Sequence, residues 1–225
     1  MSLHRHQLAY VSSLGWDRIL AKSWNLESRE CLFHWQRHRL PLVVTRQPQN
    51  GTARFVSLGL PAPEIWGRRK LTVQLACRDV LYFDEFPHAS SMRDLLPRNS
   101  RAQWRELCAD IEACGATARI YGSYGWQKIT GLDYRRVGSD IDLWIAVADD
   151  AVADAVSRVI GCSLVSGIRL DGEFMFDNGA AVSWKEWQHW RSGAVRAILV
   201  KYLAGPEIAN GAFWQRSRVQ ELTAA

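Results

Sequence analysis

The segment from Tyr121 to Trp144, YGSYGWQKITGLDYRRVGSDIDLW, constrains this chain more than any other. It begins with a Gly-Ser pair directly after a short apolar run. It ends on a second apolar run that carries two aspartates one residue apart, Asp140 and Asp142, among Ile141, Leu143, Trp144 and Ile145. A β-strand sends alternate side chains to opposite faces, so both aspartates are expected on one face and Ile141 and Leu143 in a core. Two carboxylates fixed side by side repel one another unless a cation neutralises them. Mg2+, or Mn2+ in its place, is the expected partner, since a hard cation binds through one or two carboxylates plus substrate phosphates. The pattern points to metal-assisted phosphoryl or nucleotidyl transfer, with Asp140 and Asp142 as metal ligands.

Gly122 and Ser123 strengthen that reading. A strand that runs through Gly-Ser into a helix presents free backbone N–H groups to an anion. Gly122 permits close approach of the backbone, and the Ser123 hydroxyl can donate to a phosphate oxygen. A third acid is expected on a neighbouring strand, where Asp171 and Glu173 share one face of a run whose other face is Leu170, Phe174 and Phe176. Spacing does not choose between them, and both stand as catalytic candidates. Lys128, Arg135, Arg136, Lys185 and Lys201 are basic candidates for holding a leaving pyrophosphate, and Lys128 is grouped with Gly122 and Ser123 as phosphate-binding. Trp184, Trp187 and Trp190 recur every third residue and read as packing.

Composition narrows the class. A length of 225 residues suits one large domain or two small ones, and 48% apolar residues suffice for a real core. The formal charge of +5 favours an anionic partner. No run approaches the roughly 18 apolar residues of a membrane span. The N-terminus, MSLHRHQLAY, lacks a secretory apolar core. A soluble cytoplasmic protein with no membrane partner is expected. The cysteines, Cys31, Cys77, Cys108, Cys114 and Cys162, are scattered and form no CxxC, which fits reduced thiols and neither disulfides nor a zinc site. His34 and His38 have helical i, i+4 spacing, but Trp35 follows His34 where an HExxH motif needs glutamate, so they read as surface or interface histidines.

Along the chain, Pro87 and Pro97 punctuate a boundary over Phe86 to Ser100. The division is placed at residues 1–92 and 93–225. The second part reads as a helix from about Ser100 to Cys114 capped by Asn99 or Ser100, and a strand Thr117 to Tyr121. The acid-bearing strand follows, then a helix from Asp149 to Val159 with Val152, Val156 and Val159 inward. A hairpin comes next, Ile168–Phe176 and Ala180–Trp184, turning at Asp177-Asn178-Gly179. Ala194 to Leu203 is left open between strand and helix. In the first part, Leu14–Ala21 reads as helix; Leu40–Thr45, Ala53–Leu60 and Leu71–Ala76 read as strands; and Gly67–Lys70 reads as a basic loop. The expected fold is α+β: a C-terminal domain with a small mixed sheet and helices, preceded by a smaller mixed α/β N-terminal domain.

Gly-Ser, then D-x-D among apolar residues, then an acid on a later strand resembles the nucleotidyltransferase superfamily typified by DNA polymerase beta. The fuller wording, GSYGWQKITG, VGSDIDLW, RLDGEF and NGAAVSWKEW with RHRLPLVV near the start, resembles the malonate decarboxylase holo-[acyl-carrier-protein] synthases, which are phosphoribosyl-dephospho-CoA transferases. The resemblance implies an enzyme that takes 2'-(5''-triphosphoribosyl)-3'-dephospho-CoA. It transfers the phosphoribosyl-dephospho-CoA part to a serine of the acyl-carrier subunit of malonate decarboxylase and releases pyrophosphate. It also implies a metal site at Asp140 and Asp142 and phosphate binding at Gly122 and Ser123, and it leaves Asp171 and Glu173 open as the third acid. The N-terminal part is expected to recognise the carrier or the CoA moiety. Two alternatives remain: a nucleotidyltransferase using an ordinary NTP on a small molecule, protein or RNA, and a non-catalytic nucleic-acid-binding module. Against the second, no continuous basic stripe with interleaved aromatics is present.

Overall fold

The computed structural model describes residues 3–48, 54–163, 165 and 167–216. Two sheets organise it, each with its own core. In the first part, β1 (Leu8–Val11), β2 (Leu42–Val44), β3 (Phe55–Pro61), β4 (Lys70–Ala76) and β5 (Val80–Asp84) form an antiparallel sheet in the order β4-β3-β2-β1-β5. Two helices accompany it, α1 (Ser13–Leu20) and α2 (Leu26–Arg37). Each starts at a polar cap: Ser12 accepts from the Gly15 N–H and Asn25 from the Ser28 N–H. Cys31, Leu32 and Trp35 of α2 are fully buried, at the spacing of a single helix face. The strands expected at Leu40–Thr45, Ala53–Leu60 and Leu71–Ala76 are present as β2, β3 and β4; Ala53 itself lies outside the described residues.

The second part holds α3 (Arg101–Ala113), β6 (Thr117–Tyr121), α4 (Gly122–Thr130), β7 (Ile141–Val147), α5 (Asp150–Cys162), β8 (Leu170–Phe176), β9 (Ala181–Ser183), α6 (Trp184–Arg191), β10 (Ile198–Lys201) and β11 (Pro206–Ala209). Its sheet runs β11-β10-β9-β8-β7-β6, with β7 and β8 parallel and every other pair antiparallel. A parallel pair needs a crossover, and α5 supplies it. Asp149 caps α5 by accepting from the Val152 N–H at 2.9 Å. Ser100 holds the cap position of α3 after a 3-10 turn but makes no side-chain capping bond, a departure from the expected cap. Of the segment left open at 194–203, Ile198–Lys201 is strand β10, with Ile198 and Val200 inward.

One face of this sheet is covered: Ile141, Leu143, Ile145, Phe174 and Phe176 share a core with Trp104, Ile111, Val156 and Trp187. The other face carries Asp142, Trp144, Asp171, Glu173 and Met175, and it meets the N-terminal part. The two cores exchange between Phe86, which packs in the N-terminal core, and Ala89, which packs in the C-terminal one. That exchange falls slightly ahead of the division placed at residue 92. The halves are fastened by Trp126 of α4, buried in the N-terminal core, and by the Tyr134 hydroxyl donating to Pro61 O at 2.7 Å. Among the described residues no helix is long and apolar enough to cross a membrane.

Candidate active site

The antiparallel pairing of β6 with β7 sets Tyr121, the last residue of β6, opposite Asp142. The chain must then turn into α4 directly beside that carboxylate. Gly122 does so with φ of +60°, and a Cβ there would lie 1.9 Å from Asp142 Oδ2. Only glycine serves, because any side chain would occupy the carboxylate's place. Ser123 follows in the first turn of α4, where backbone N–H groups lack helical partners and the helix dipole favours negative charge.

The parallel pairing of β7 with β8 sets Asp142 opposite Asp171. Gly172, next on β8, has φ of +145°, and a Cβ there would meet Leu143 O at 2.0 Å. A glycine at this point lets β8 lie close against the acid-bearing strand. The Asp142 carboxyl is pushed up to about 6, first by burial and then by the charges of Asp171, Asp140 and Glu173, with Lys185 pulling the other way. Asp142 therefore resists ionisation where no cation offsets the surrounding negative charge.

Each surrounding acid has a basic neighbour. Lys185, in the first turn of α6, lies 3.2 Å from Asp171 Oδ1. Asp140 stands just ahead of β7 and not within it, so the strand itself carries only the second aspartate of the D-x-D, while the Asp140 charge still acts on Asp142. A turn closed by Ser139 N–H to Arg136 O places Asp140 at the rim. There Arg169 Nε comes within 2.6 Å of its Oδ1, a charge contact without hydrogen-bond alignment. Glu173 faces the same side as Asp171, but its carboxylate is engaged by Lys201 at 2.6 Å and His6 at 3.1 Å. Burial pushes Glu173 up, and its bonds to His6 and Lys201 and the charge of Arg5 overcome this to hold it well below the usual range.

The structure thus gathers Gly122, Ser123, Asp142 and Asp171, with Asp140 and Glu173 at the margins and Lys185 on the acids. Lys128 is not gathered there. It lies in the last turn of α4 with its ammonium on both Asp94 oxygens, at 2.9 and 3.0 Å. Arg135 stacks over the Tyr124 ring and donates to Leu95 O, a packing role. His34 and His38 stack on each other at 4.2 Å on α2 and its cap, remote in the fold from the acids. Sequence reasoning missed Arg169, His4, Arg5 and His6. The run His-Arg-His immediately before an apolar strand was the available signal.

Among the described residues no three His, Cys, Asp or Glu side chains form a ready-made ion cage. The Asp142–Asp171 pair, crowded with negative charge, has the chemistry of a site for a hard divalent cation shared with substrate phosphate.

Comparison with known proteins agrees with this architecture. Residues 4–86 match the family described as phosphoribosyl-dephospho-CoA transferase MdcG N-terminal domain, and residues 86–212 match its C-terminal domain. A phosphoribosyl-dephospho-CoA transferase of Bradyrhizobium diazoefficiens is 32% identical over 199 residues, covering 88% of this chain and 85% of that protein. One from Xanthomonas campestris pv. campestris is 29% identical over 195 residues, covering 84% and 88%. No solved structure matches the chain. The family models meet at Phe86, where the two cores exchange, and together with these relatives they show that the chain belongs to the phosphoribosyl-dephospho-CoA transferase family.

Proposed function

We propose that this enzyme transfers the phosphoribosyl-dephospho-CoA group of 2'-(5''-triphosphoribosyl)-3'-dephospho-CoA to a serine of the acyl-carrier subunit of malonate decarboxylase, with release of pyrophosphate. The observation that carries this reading is the register of Asp142 against Asp171 beside the Gly122–Ser123 opening of α4. In the proposed step the serine oxygen attacks the phosphorus nearest the ribose, forming an O–P bond as the bond to pyrophosphate breaks, and the serine proton passes through solvent to the departing pyrophosphate. Asp142 and Asp171, with Asp140 at the rim, would hold Mg2+ or Mn2+. Once bound, that ion neutralises phosphate charge and lowers the barrier to attack as a Lewis acid.

The chain's own residues supply the rest. The first-turn N–H groups of α4 receive phosphate oxygens before charge develops. Lys185 and Arg169, which rest on Asp171 and Asp140, are the cations that the leaving pyrophosphate meets first. Gly122 leaves room for the Asp142 carboxylate at the turn where the phosphates are gripped.

The test is the mass of the apo carrier subunit after incubation with this protein, Mg2+ and triphosphoribosyl-dephospho-CoA. A gain of one phosphoribosyl-dephospho-CoA, abolished by EDTA, is expected. An unmodified carrier in the presence of folded enzyme would overturn the assignment of the acceptor.

A further inference from the structure

Glu173 lies two residues beyond Asp171 on the same face of β8, yet its surroundings differ in kind. Its side chain is only 7% exposed. Oε1 accepts from Lys201 Nζ at 2.6 Å, and Oε2 accepts from His6 Nε2 at 3.1 Å and lies 3.7 Å from Arg5 Nε. Both oxygens are committed, and two of the three partners come from the extreme N-terminal segment.

That segment crosses the open face of the catalytic sheet. His6 stacks against Tyr121 of β6 at 4.1 Å while bonding Glu173 of β8, so it bridges the two flanks of β7. His4 stacks on Trp144 of β7 at 5.6 Å and is anchored beyond by Glu85 at 2.7 Å. Residues 4–6 therefore pass over Trp144, two positions along β7 from Asp142. His6 holds a φ of +63°, a left-handed conformation that a non-glycine residue keeps where its surroundings over-determine it. Between the two histidines, Arg5 has a buried Nε and, among the described residues, no hydrogen bond to its guanidinium. A guanidinium with unused donors is suited to a phosphate's planar, two-point grip.

We infer that Glu173 is a positioning residue that straps the N-terminal segment across the catalytic sheet and so presents Arg5 to the polyphosphate of the substrate. This rests on the Asp142–Asp171 pair as the reaction centre. It assigns Glu173 to the strap and leaves Asp171 as the third acid. It also gives the N-terminal part a direct share in the site.

The test uses the full-length protein with two probes, Mn2+ alone and tripolyphosphate in the presence of Mn2+, each titrated by calorimetry. Arg5→Gln and Glu173→Gln should each weaken tripolyphosphate by about tenfold, the loss of one charge-assisted contact, while Mn2+ alone binds as in the wild type. The double variant should be no weaker than Arg5→Gln, and Arg5→Lys should recover part of the loss. Lys201→Met attacks the same strap from β10 and should follow Glu173→Gln. Loss of Mn2+ binding in Glu173→Gln would make Glu173 a ligand and overturn the inference. So would wild-type tripolyphosphate affinity in Arg5→Gln, or no tripolyphosphate binding by the wild type. Asp142→Asn, run in parallel, separates the two readings: retained Mn2+ affinity there would overturn the metal centre itself.

Discussion

Gly122 and Asp142 occupy one another's space, and both are open to test singly. Gly122→Ala must leave its positive φ and find room for a Cβ now 1.9 Å from Asp142 Oδ2. The carboxylate is displaced by the order of an ångström, and a shift of that size costs about 100-fold in rate. Single-turnover transfer should fall by that factor while circular dichroism stays native. Asp142 also makes a pH prediction. Burial and the neighbouring acids raise its folded pKa to about 6, above that of an unfolded aspartate, so the stability it contributes is complete below about pH 4 and is lost as pH rises through 6. In EDTA, Asp142→Asn should therefore melt higher than wild type at pH 8, by about 2–4 °C if screening leaves about 1 kcal/mol. The two proteins should converge at pH 4. A constant difference across that range in thermal melts would refute the crowding of charge on this pair.

At the scale of elements, the catalytic sheet owes its rigidity to what covers its far face. Trp187 of α6 is fully buried against Phe174, Phe176 and Phe213, and its indole N–H donates to Asp154 Oδ1 at 2.9 Å. Trp187→Ala should destabilise by about 3–5 kcal/mol in urea unfolding. Trp184, only partly buried at the start of the same helix, should cost less. These tryptophans were legible as packing from their spacing, as were the β8–β9 hairpin from Asn178-Gly179 and α5 from its cap. Other elements were not. β1 is only four residues long, and its pattern LAYV is apolar nearly throughout, so it shows no alternation. The buried stripe of α2, Cys31, Leu32 and Trp35, is set among charged residues that blur its period. β11 has three exposed residues of four and is defined only by pairing with β10. In the site, the local motif at Gly122, Ser123 and Asp142 was readable because a turn and a strand carry it. The engagement of Glu173 was not, since it depends on Lys201 and on a segment more than 160 residues away in sequence, as the His6–Glu173 separation of 167 shows.

Over the whole molecule, the two halves share their working parts. α4 begins at the site and buries Trp126 among Trp35, Phe86 and Tyr134 of the N-terminal core. Gln47 N–H donates to Leu203 O at 3.0 Å and Arg46 Nε to Ala204 O at 2.7 Å, tying the end of β2 to the loop after β10. A fragment beginning at Pro87 would expose Trp126, Tyr121 and the Trp144 face together. Such a fragment should fail to give a cooperative melt or any transfer. A folded, active fragment would show that the N-terminal half is dispensable.

The most direct test of the central claim, that Asp142 and Asp171 form one reaction centre, is the single-turnover rate of carrier modification for Asp142→Asn, Asp171→Asn and the double variant. Each single change should lower the rate by several orders of magnitude, and the double change should cost little more, as for residues acting as a unit. Near-normal transfer by Asp171→Asn, or full additivity of the two losses, would contradict that claim.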